Sequence, residues 1–442
     1  MRNLLLSFLL LSSLVLSAQE GEKRPLQKIS CTADTTQQYS LYLPLDYSAE
    51  KKYPLIIFLD PGARGDVPVD KYRSLAEEFG LVIAGSFNSR NFDASSSVKA
   101  FVAIYNDLFL HYSIDPSLVW IAGFSGGSRA AASIAMGYPQ IAGVIACGAG
   151  FAGDEEPTKT NLKAYAALVG DQDMNYSELV ENSQFLSQKK VNEVLLIFPG
   201  DHRWPPAPYV GLAVSWLMQN AGKEQAAASM KGSMMDLLKA KEDSGYLYQA
   251  WMEAAQLSKI KLYHDAAIAL QEDISNKKKY VADKMDFENA ATDETSCMNE
   301  FSILFSNVVY KDAYIERSVW QKIAKRTQEM RKDKSRYRQL AGQRALNHCT
   351  LSCYEQYSHI MTEKDFAKAL SIAEVLTQFL PDDPQPYFMM ARAAAAKENK
   401  KLAEKYLKQS ISNGLTLSKR VDGDGYFLKL FSAEELAGFF KK

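Results

Sequence analysis

In the stretch "IAGFSGGSRA" (121–130), glycines bracket a serine as Gly123-x-Ser125-x-Gly127, between an apolar run and a segment with helical spacing. A serine hydroxyl is a weak nucleophile at neutral pH. It attacks a carbonyl only if a base takes its proton, and that base needs an acid to orient it. The chain supplies both residue types, each just after an apolar run. Asp171 and Asp173 stand in "AALVGDQDMNY" (166–176), and His202 stands in "LLIFPGDHRWPP" (195–206). The whole chain holds five histidines, which makes one at the end of an apolar run more telling. The chemistry implied is acyl transfer through a covalent serine intermediate.

Such residues must be held by a scaffold, and the first half of the chain reads as one. Apolar runs at 39–45, 53–60, 81–87, 118–123, 143–149, 164–170 and 193–200 are predicted strands. Several are apolar throughout, as expected of parallel strands covered on both faces. Segments with helical spacing lie between them at 70–80, 97–112, 127–139 and 177–190. The expectation is an α/β fold with a doubly wound, mostly parallel sheet. Ser125 then falls on a strand-to-helix turn, where residues beside it must be small and the helix amides face any developing negative charge.

On these motifs the segment 38–221 resembles the α/β-hydrolase superfamily, in its secreted esterase and dienelactone-hydrolase-like branch. That family carries its acid in a G-x-x-D turn and its base in a G-x-H turn followed by Trp or Pro. Gly170 with Asp173, and Gly200 with His202, Trp204 and Pro205, match those positions. The resemblance implies a triad of Ser125, His202 and Asp173, with Asp171 as the alternative acid. It also implies an oxyanion hole from the residue after the nucleophile, here Gly126, and from a His-Gly loop after an early strand. This chain departs from the second part. Its loop reads "FLDPGARGDVP" (58–68) without histidine, and Pro61 has no amide hydrogen. Gly62, Ala63 and Arg64 remain as candidate donors, with Ala63 and Arg64 preferred. No metal or organic cofactor is implied, since triad chemistry needs none.

No proline occurs between Pro208 and Pro381, and glycine is sparse there, so 222–442 is predicted to be an α-helical domain. Within it, about 350–414 resembles the tetratricopeptide family. Ala369 aligns with Ala403 and Ala373 with Leu407 at that family's period of 34 residues, and Phe366, Pro381, Tyr387 and Ala391 stand at signature positions. A protein partner bound by this half is the expectation that follows.

At 442 residues, with 47% hydrophobic and 23% charged residues, the chain is expected to be globular with two domains. Its net charge of −1 is spread along the chain, which argues against a nucleic-acid partner. Residues 1–18 pair Arg2 with an apolar run ending in small residues, the pattern of a signal peptide, followed by a short leader at 19–37. A secreted or periplasmic protein with no membrane span after cleavage is expected. Cys31, Cys147, Cys297, Cys349 and Cys353 are too scattered for a disulfide scaffold or a zinc site, and Cys349 with Cys353 reads as buried helix residues. His111, His264, His348 and His359 are expected to be structural. The tripeptide Arg64-Gly65-Asp66 and the "VDGDGY" stretch (421–426) are read as turns. Arg64 and Arg90 are expected in loops after strands, on the side of the sheet where enzymes of this fold bind substrate, and read first as solvated loop arginines.

The leading expectation is a secreted serine hydrolase cleaving small-molecule or polymer-linked carboxylic esters. Two alternatives are a serine peptidase like prolyl oligopeptidase and a non-catalytic protein-binding protein that uses the helical half. The peptidase family carries a large N-terminal propeller, for which the residues before the first strand leave no room.

Overall fold

The computed structural model describes residues 26–91, 93–153, 155–223, 233–416, 421 and 423–441. The expected signal peptide lies outside the described residues. The strands are β1 (Gln27–Ser30), β2 (Gln38–Tyr42), β3 (Tyr53–Leu59), β4 (Val82–Ser86), β5 (Ile114–Phe124), β6 (Gly143–Cys147), β7 (Ala164–Gly170) and β8 (Asn192–Phe198). They form one sheet in the order β1-β2-β4-β3-β5-β6-β7-β8. β2 pairs antiparallel with β1 and β4, and every other neighbouring pair is parallel. That order and those directions are the α/β-hydrolase fold. β4, β6 and β7 are buried at every position, which accounts for their continuous apolar sequence.

β1 lies inside the stretch read from sequence as a leader. Its four residues, "QKIS", contain one apolar side chain and carry no strand periodicity. Edge pairing with β2, from Gln27 opposite Leu41 to Ser30 opposite Gln38, makes it a strand.

Helices cover both faces. α1 (Asp66–Phe79) and α5 (Ala207–Asn220) pack with Ile56, Phe58, Trp120 and Phe198 on one side. α2 (Ala94–His111), α3 (Gly126–Gly137) and α4 (Tyr176–Gln188) pack with Leu55, Ile57, Ile121 and Val169 on the other.

The remainder is helical: α6 (Ser233–Asp243), α7 (Leu247–Leu257), α8 (His264–Ser275), α9 (Tyr280–Lys311), α10 (Arg317–Arg331), α11 (Arg336–Thr362), α12 (Phe366–Phe379), α13 (Pro384–Ala396) and α14 (Lys400–Ser412), with two short helices at Gly425–Leu428 and Ala433–Phe439. The core crosses the boundary expected near residue 221. Ala254, Leu257, Ile260 and Tyr263 join α5 in the core of one sheet face, and the Gln256 side-chain oxygen accepts from the Leu195 amide at 3.0 Å. Two further cores hold α9–α13 and α13 to the C-terminal helices. α12, α13 and α14 each open on a capping side chain, Asp365, Asp383 and Asn399, and Pro384 stands in the first turn of α13. Ala369, Ala373, Ala391 and Ala403 are fully buried between these helices, where their small size lets backbones approach closely.

Candidate active site

β5 ends at Phe124 and α3 starts at Gly126, so one residue makes the whole turn. That residue is Ser125, at φ 54° and ψ −124°. A non-glycine residue held there costs about 1–3 kcal/mol and persists only where its surroundings enforce it. They do. A Cβ on Gly123 would stand 2.0 Å from the Gly127 carbonyl oxygen, and one on Gly127 would stand 2.1 Å from that of Leu59. The Ser125 amide donates to the Cys147 carbonyl at 2.8 Å, tying the turn to β6.

The His202 Nε2 lies 2.9 Å from the Ser125 hydroxyl oxygen. Its Nδ1 lies 2.9 and 3.0 Å from the two carboxylate oxygens of Asp173, which is fully buried. A carboxylate on Nδ1 keeps the proton on that nitrogen, leaving Nε2 to accept from serine. Asp173 is held in turn by the Asn175 amide, which donates to it at 2.9 Å, and the Asn175 side chain donates to the Gly148 carbonyl at 2.7 Å. Asp171 has another partner: its carboxylate accepts from the Gly200 amide at 3.0 Å and so joins the acid loop to the histidine loop. Gly170 allows this approach, because a Cβ there would stand 2.3 Å from the Gly200 oxygen. The imidazole rests on the Phe124 ring at 4.6 Å between centroids.

The loop after β3 is organised by Asp60, a buried carboxylate. It accepts from the Gly62 amide at 2.8 Å, from Arg64 Nε and Nη2 at 2.9 and 3.0 Å, and from Trp204 Nε1 at 2.9 Å. Trp204 is two residues beyond His202, so one carboxylate pins both the β3 loop and the histidine loop. The Ala63 amide donates to the Asp60 carbonyl at 3.1 Å. Of the three sequence candidates for the loop's oxyanion donor, the Gly62 and Ala63 amides are therefore already engaged, and Arg64's has no partner among the described residues. The Arg64 guanidinium is paired with Asp60, while Arg90 is exposed and its backbone bridges to Gly62. Gly126 heads α3, and its amide has no partner among the described residues.

The helical half reaches the site through α11. Arg344 Nη1 donates to the Asp171 carbonyl at 3.0 Å, and the Asn347 side chain donates to that of Gln172 at 2.9 Å. Arg344 is also paired with the fully buried Glu294 and lies 4.3 Å over the Tyr176 ring. Further along α11, Glu355 is half-buried and faces His202 and Arg129. Burial pushes its carboxyl above the usual range, against the pull of those two groups. The Arg129 guanidinium is already taken by Glu178, at 2.7 and 2.8 Å.

Sequence reasoning missed Asp60, Arg344, Asn347 and Glu355. A charged residue closing the apolar run "LIIFLD" was a signal for Asp60. Arg344 and Asn347 meet a loop more than 170 positions away, Glu355 faces groups from other segments, and nothing local marks any of the three.

The other histidines have local partners: His111 meets Thr32, His264 the Ser258 carbonyl, and His348 Ser302, while His359 pairs with Glu363. All five cysteines are buried and free. In the Arg64–Asp66 tripeptide, Gly65 packs so tightly that a Cβ would stand 2.1 Å from the Gly85 oxygen, and Asp66 opens α1. Asp424, in the 421–426 stretch, accepts from Arg392 at 2.6 Å and caps a short helix. Among the described residues no cluster of His, Cys, Asp and Glu is arranged to hold a metal, and no helix is long and apolar enough to cross a membrane.

No family model matches the sequence, and no curated protein does. Among solved structures the chain is similar to a mutant feruloyl esterase module from Clostridium thermocellum complexed with sinapinate, at 15% identity over 42% of this chain and 84% of that one, with a TM-score of 0.35. It is similar to the fluorophosphonate-binding serine hydrolase F of Staphylococcus aureus, at 15% identity over 44% of this chain and 97% of that one, with a TM-score of 0.37. The corresponding values for the S-formylglutathione hydrolase of Staphylococcus aureus are 16%, 44%, 95% and 0.34. The strand order of this chain's own sheet is what identifies the fold.

Proposed function

We propose that the protein is a serine hydrolase that cleaves carboxylic esters through Ser125, His202 and Asp173. The observation that carries this reading is the unbroken line from the Asp173 carboxylate through His202 to the Ser125 hydroxyl, with each link at 2.9 to 3.0 Å and the serine on a strained turn. In this reading the Ser125 oxygen attacks the ester carbonyl carbon while its proton passes to His202 Nε2. The carbonyl π electrons move onto oxygen and face the Gly126 amide at the head of α3. Collapse of the tetrahedral adduct breaks the carbon–oxygen bond, and the departing alkoxide takes the proton from His202. Water then attacks the acyl-serine, giving its proton to His202, and a second collapse returns that proton to Ser125 and releases the acid. Asp173 keeps the imidazole oriented and stabilises its charged form throughout. We read the first 18 residues as an export signal, and the region at about 350–414 as tetratricopeptide-like and suited to a protein partner.

The test is labelling of the purified protein with a fluorophosphonate probe, together with turnover of an aryl ester. Wild type should label and turn over, and Ser125→Ala and His202→Ala should do neither. Equal turnover in Ser125→Ala would refute the assignment.

A further inference from the structure

Residues 322–338 hold eight lysines and arginines against two acids, in a chain whose net charge is −1. Part of that excess is neutralised: Lys325 pairs with Glu329, Arg326 with Glu300, and Arg338 with Asp293 and Asp333. Arg331, Lys332, Lys334 and Arg336, in the turn from α10 to α11, remain exposed and have no carboxylate partner among the described residues. Two more exposed lysines without such a partner, Lys278 and Lys279, stand where α9 begins. Both groups meet at one corner, because the Tyr337 hydroxyl donates to Asp283 of α9 and the Ser335 hydroxyl to Asp286, each at 2.7 Å. Arg331 is held close as well: a Cβ on Gly342 of α11 would stand 2.7 Å from its amide nitrogen. Six exposed cations thus gather around the carboxylates of Asp283 and Asp286.

Fold stability does not account for this arrangement. The start of a helix carries partial positive charge and is stabilised by acids, not by cations. Here Lys279 is the residue capping the start of α9, and α11 opens on Arg336 with no acid in its first turn. The same corner also exposes apolar surface. Val281 and Met285, one turn apart in α9, are 64% and 57% exposed, and Met285 directly precedes the Asp286 that holds Ser335. A soluble polyanion would answer the cations alone. An anionic bilayer answers both, since its headgroups meet lysine and arginine while the boundary beneath them takes the apolar side chains.

We propose that this corner, formed by the α10–α11 turn and the start of α9, docks the protein on an anionic lipid surface. Its six cations pair with lipid phosphates, and Val281 and Met285 enter the headgroup boundary. The helical half then holds the protein on a bilayer without crossing it. This docking stands apart from the ester-hydrolase reading and does not depend on it.

In the experiment the mature protein is sedimented with vesicles of phosphatidylcholine alone and of equal parts phosphatidylcholine and phosphatidylglycerol, at low and high salt. Wild type should bind the anionic vesicles, bind them less at high salt, and ignore the neutral ones. Lys332→Gln, Lys334→Gln and Arg336→Gln combined should lower the partition coefficient by about 100-fold. Val281→Ser with Met285→Ser keeps every charge and should lower it by about tenfold. Lys401→Gln with Lys405→Gln, exposed on α14, should change nothing. All variants are compared at an unchanged melting temperature. Folded wild type that ignores anionic vesicles overturns the proposal, and so does an equal loss in the α14 variant. Binding to soluble polygalacturonate, with serine at 281 and 285 leaving vesicle binding at the wild-type level, would assign the corner to a soluble polyanion and overturn lipid docking.

Discussion

The guanidinium of Arg344, on α11, donates to the main-chain carbonyl of Asp171, two residues before the carboxylate that meets His202. A helix of the C-terminal half thus braces the acid loop of the site. Arg344 is nearly buried and its partner Glu294 is wholly so. Removing one member of a buried pair strands the other charge, at about 3–5 kcal/mol. Arg344→Met should lose stability of that order in urea unfolding. Arg344→Met combined with Glu294→Leu should regain most of it yet keep a lowered kcat, because the loop contact stays lost. Full recovery of kcat in the double variant would show that the brace is structural only.

The two aspartates of the acid loop should separate cleanly. Asp173→Asn removes the acceptor that keeps the proton on His202 Nδ1, and kcat should drop by about 10⁴ with the fold intact. Asp171→Asn leaves the triad distances alone, weakens only the bond from the Gly200 amide, and should cost kcat less than about tenfold. Steady-state kinetics on both variants check this, and the reverse ranking would exchange the two roles.

Asp60 collects donors from Gly62, Arg64 and Trp204. Asp60→Ala strands the buried Trp204 Nε1 and should cost about 2–4 kcal/mol, from one or more buried donors left unmet. Trp204 fluorescence and denaturant unfolding report on this together. Stability equal to wild type would mean that water replaces the carboxylate.

Around the site, Arg129 is matched by Glu178 and Arg64 by Asp60, whereas Glu355 has no partner among the described residues. When ionised, Glu355 should favour esters with a cationic leaving group. Measured as kcat/KM for a choline ester over its neutral tert-butyl isostere, the preference should shrink about five- to tenfold in Glu355→Gln. An unchanged ratio would remove Glu355 from substrate selection.

His348, half-buried beside Ser302 and the Phe301 ring, has its pKa lowered by burial from 6.5 to about 4. The unfolded chain therefore binds a proton below 6.5 that the folded chain refuses until about 4. Stability conferred by the neutral ring is full above pH 6.5 and is lost as pH falls through that window, by at most about 3 kcal/mol. Urea midpoints between pH 7 and 4 should fall less steeply for His348→Gln than for wild type. Parallel curves would assign the acid lability to other groups.

Much of this was legible in the sequence. The apolar runs announced a buried parallel sheet because such strands must be hydrophobic on both faces, and the glycines around Ser125 announced a turn that admits no Cβ. Asp173 and His202 stood out because each ends a strand, which is where an α/β sheet presents its loops. β1 was invisible, since four mixed residues become a strand only when an edge is offered to them.

Local chemistry is written into neighbouring residues, so sequence by itself determined the strands other than β1, the turn at Ser125 and the residue types set at the strand ends. Tertiary structure alone decided how they are joined. It turned Asp171 to Gly200 and Asp173 to His202, folded the Gly62 amide onto Asp60, laid Asn91 against Gly126, and brought Arg344 from α11 to the acid loop. Each of these depends on the direction of one hydrogen bond or the closeness of two backbones, and such quantities exist only once distant segments are packed together.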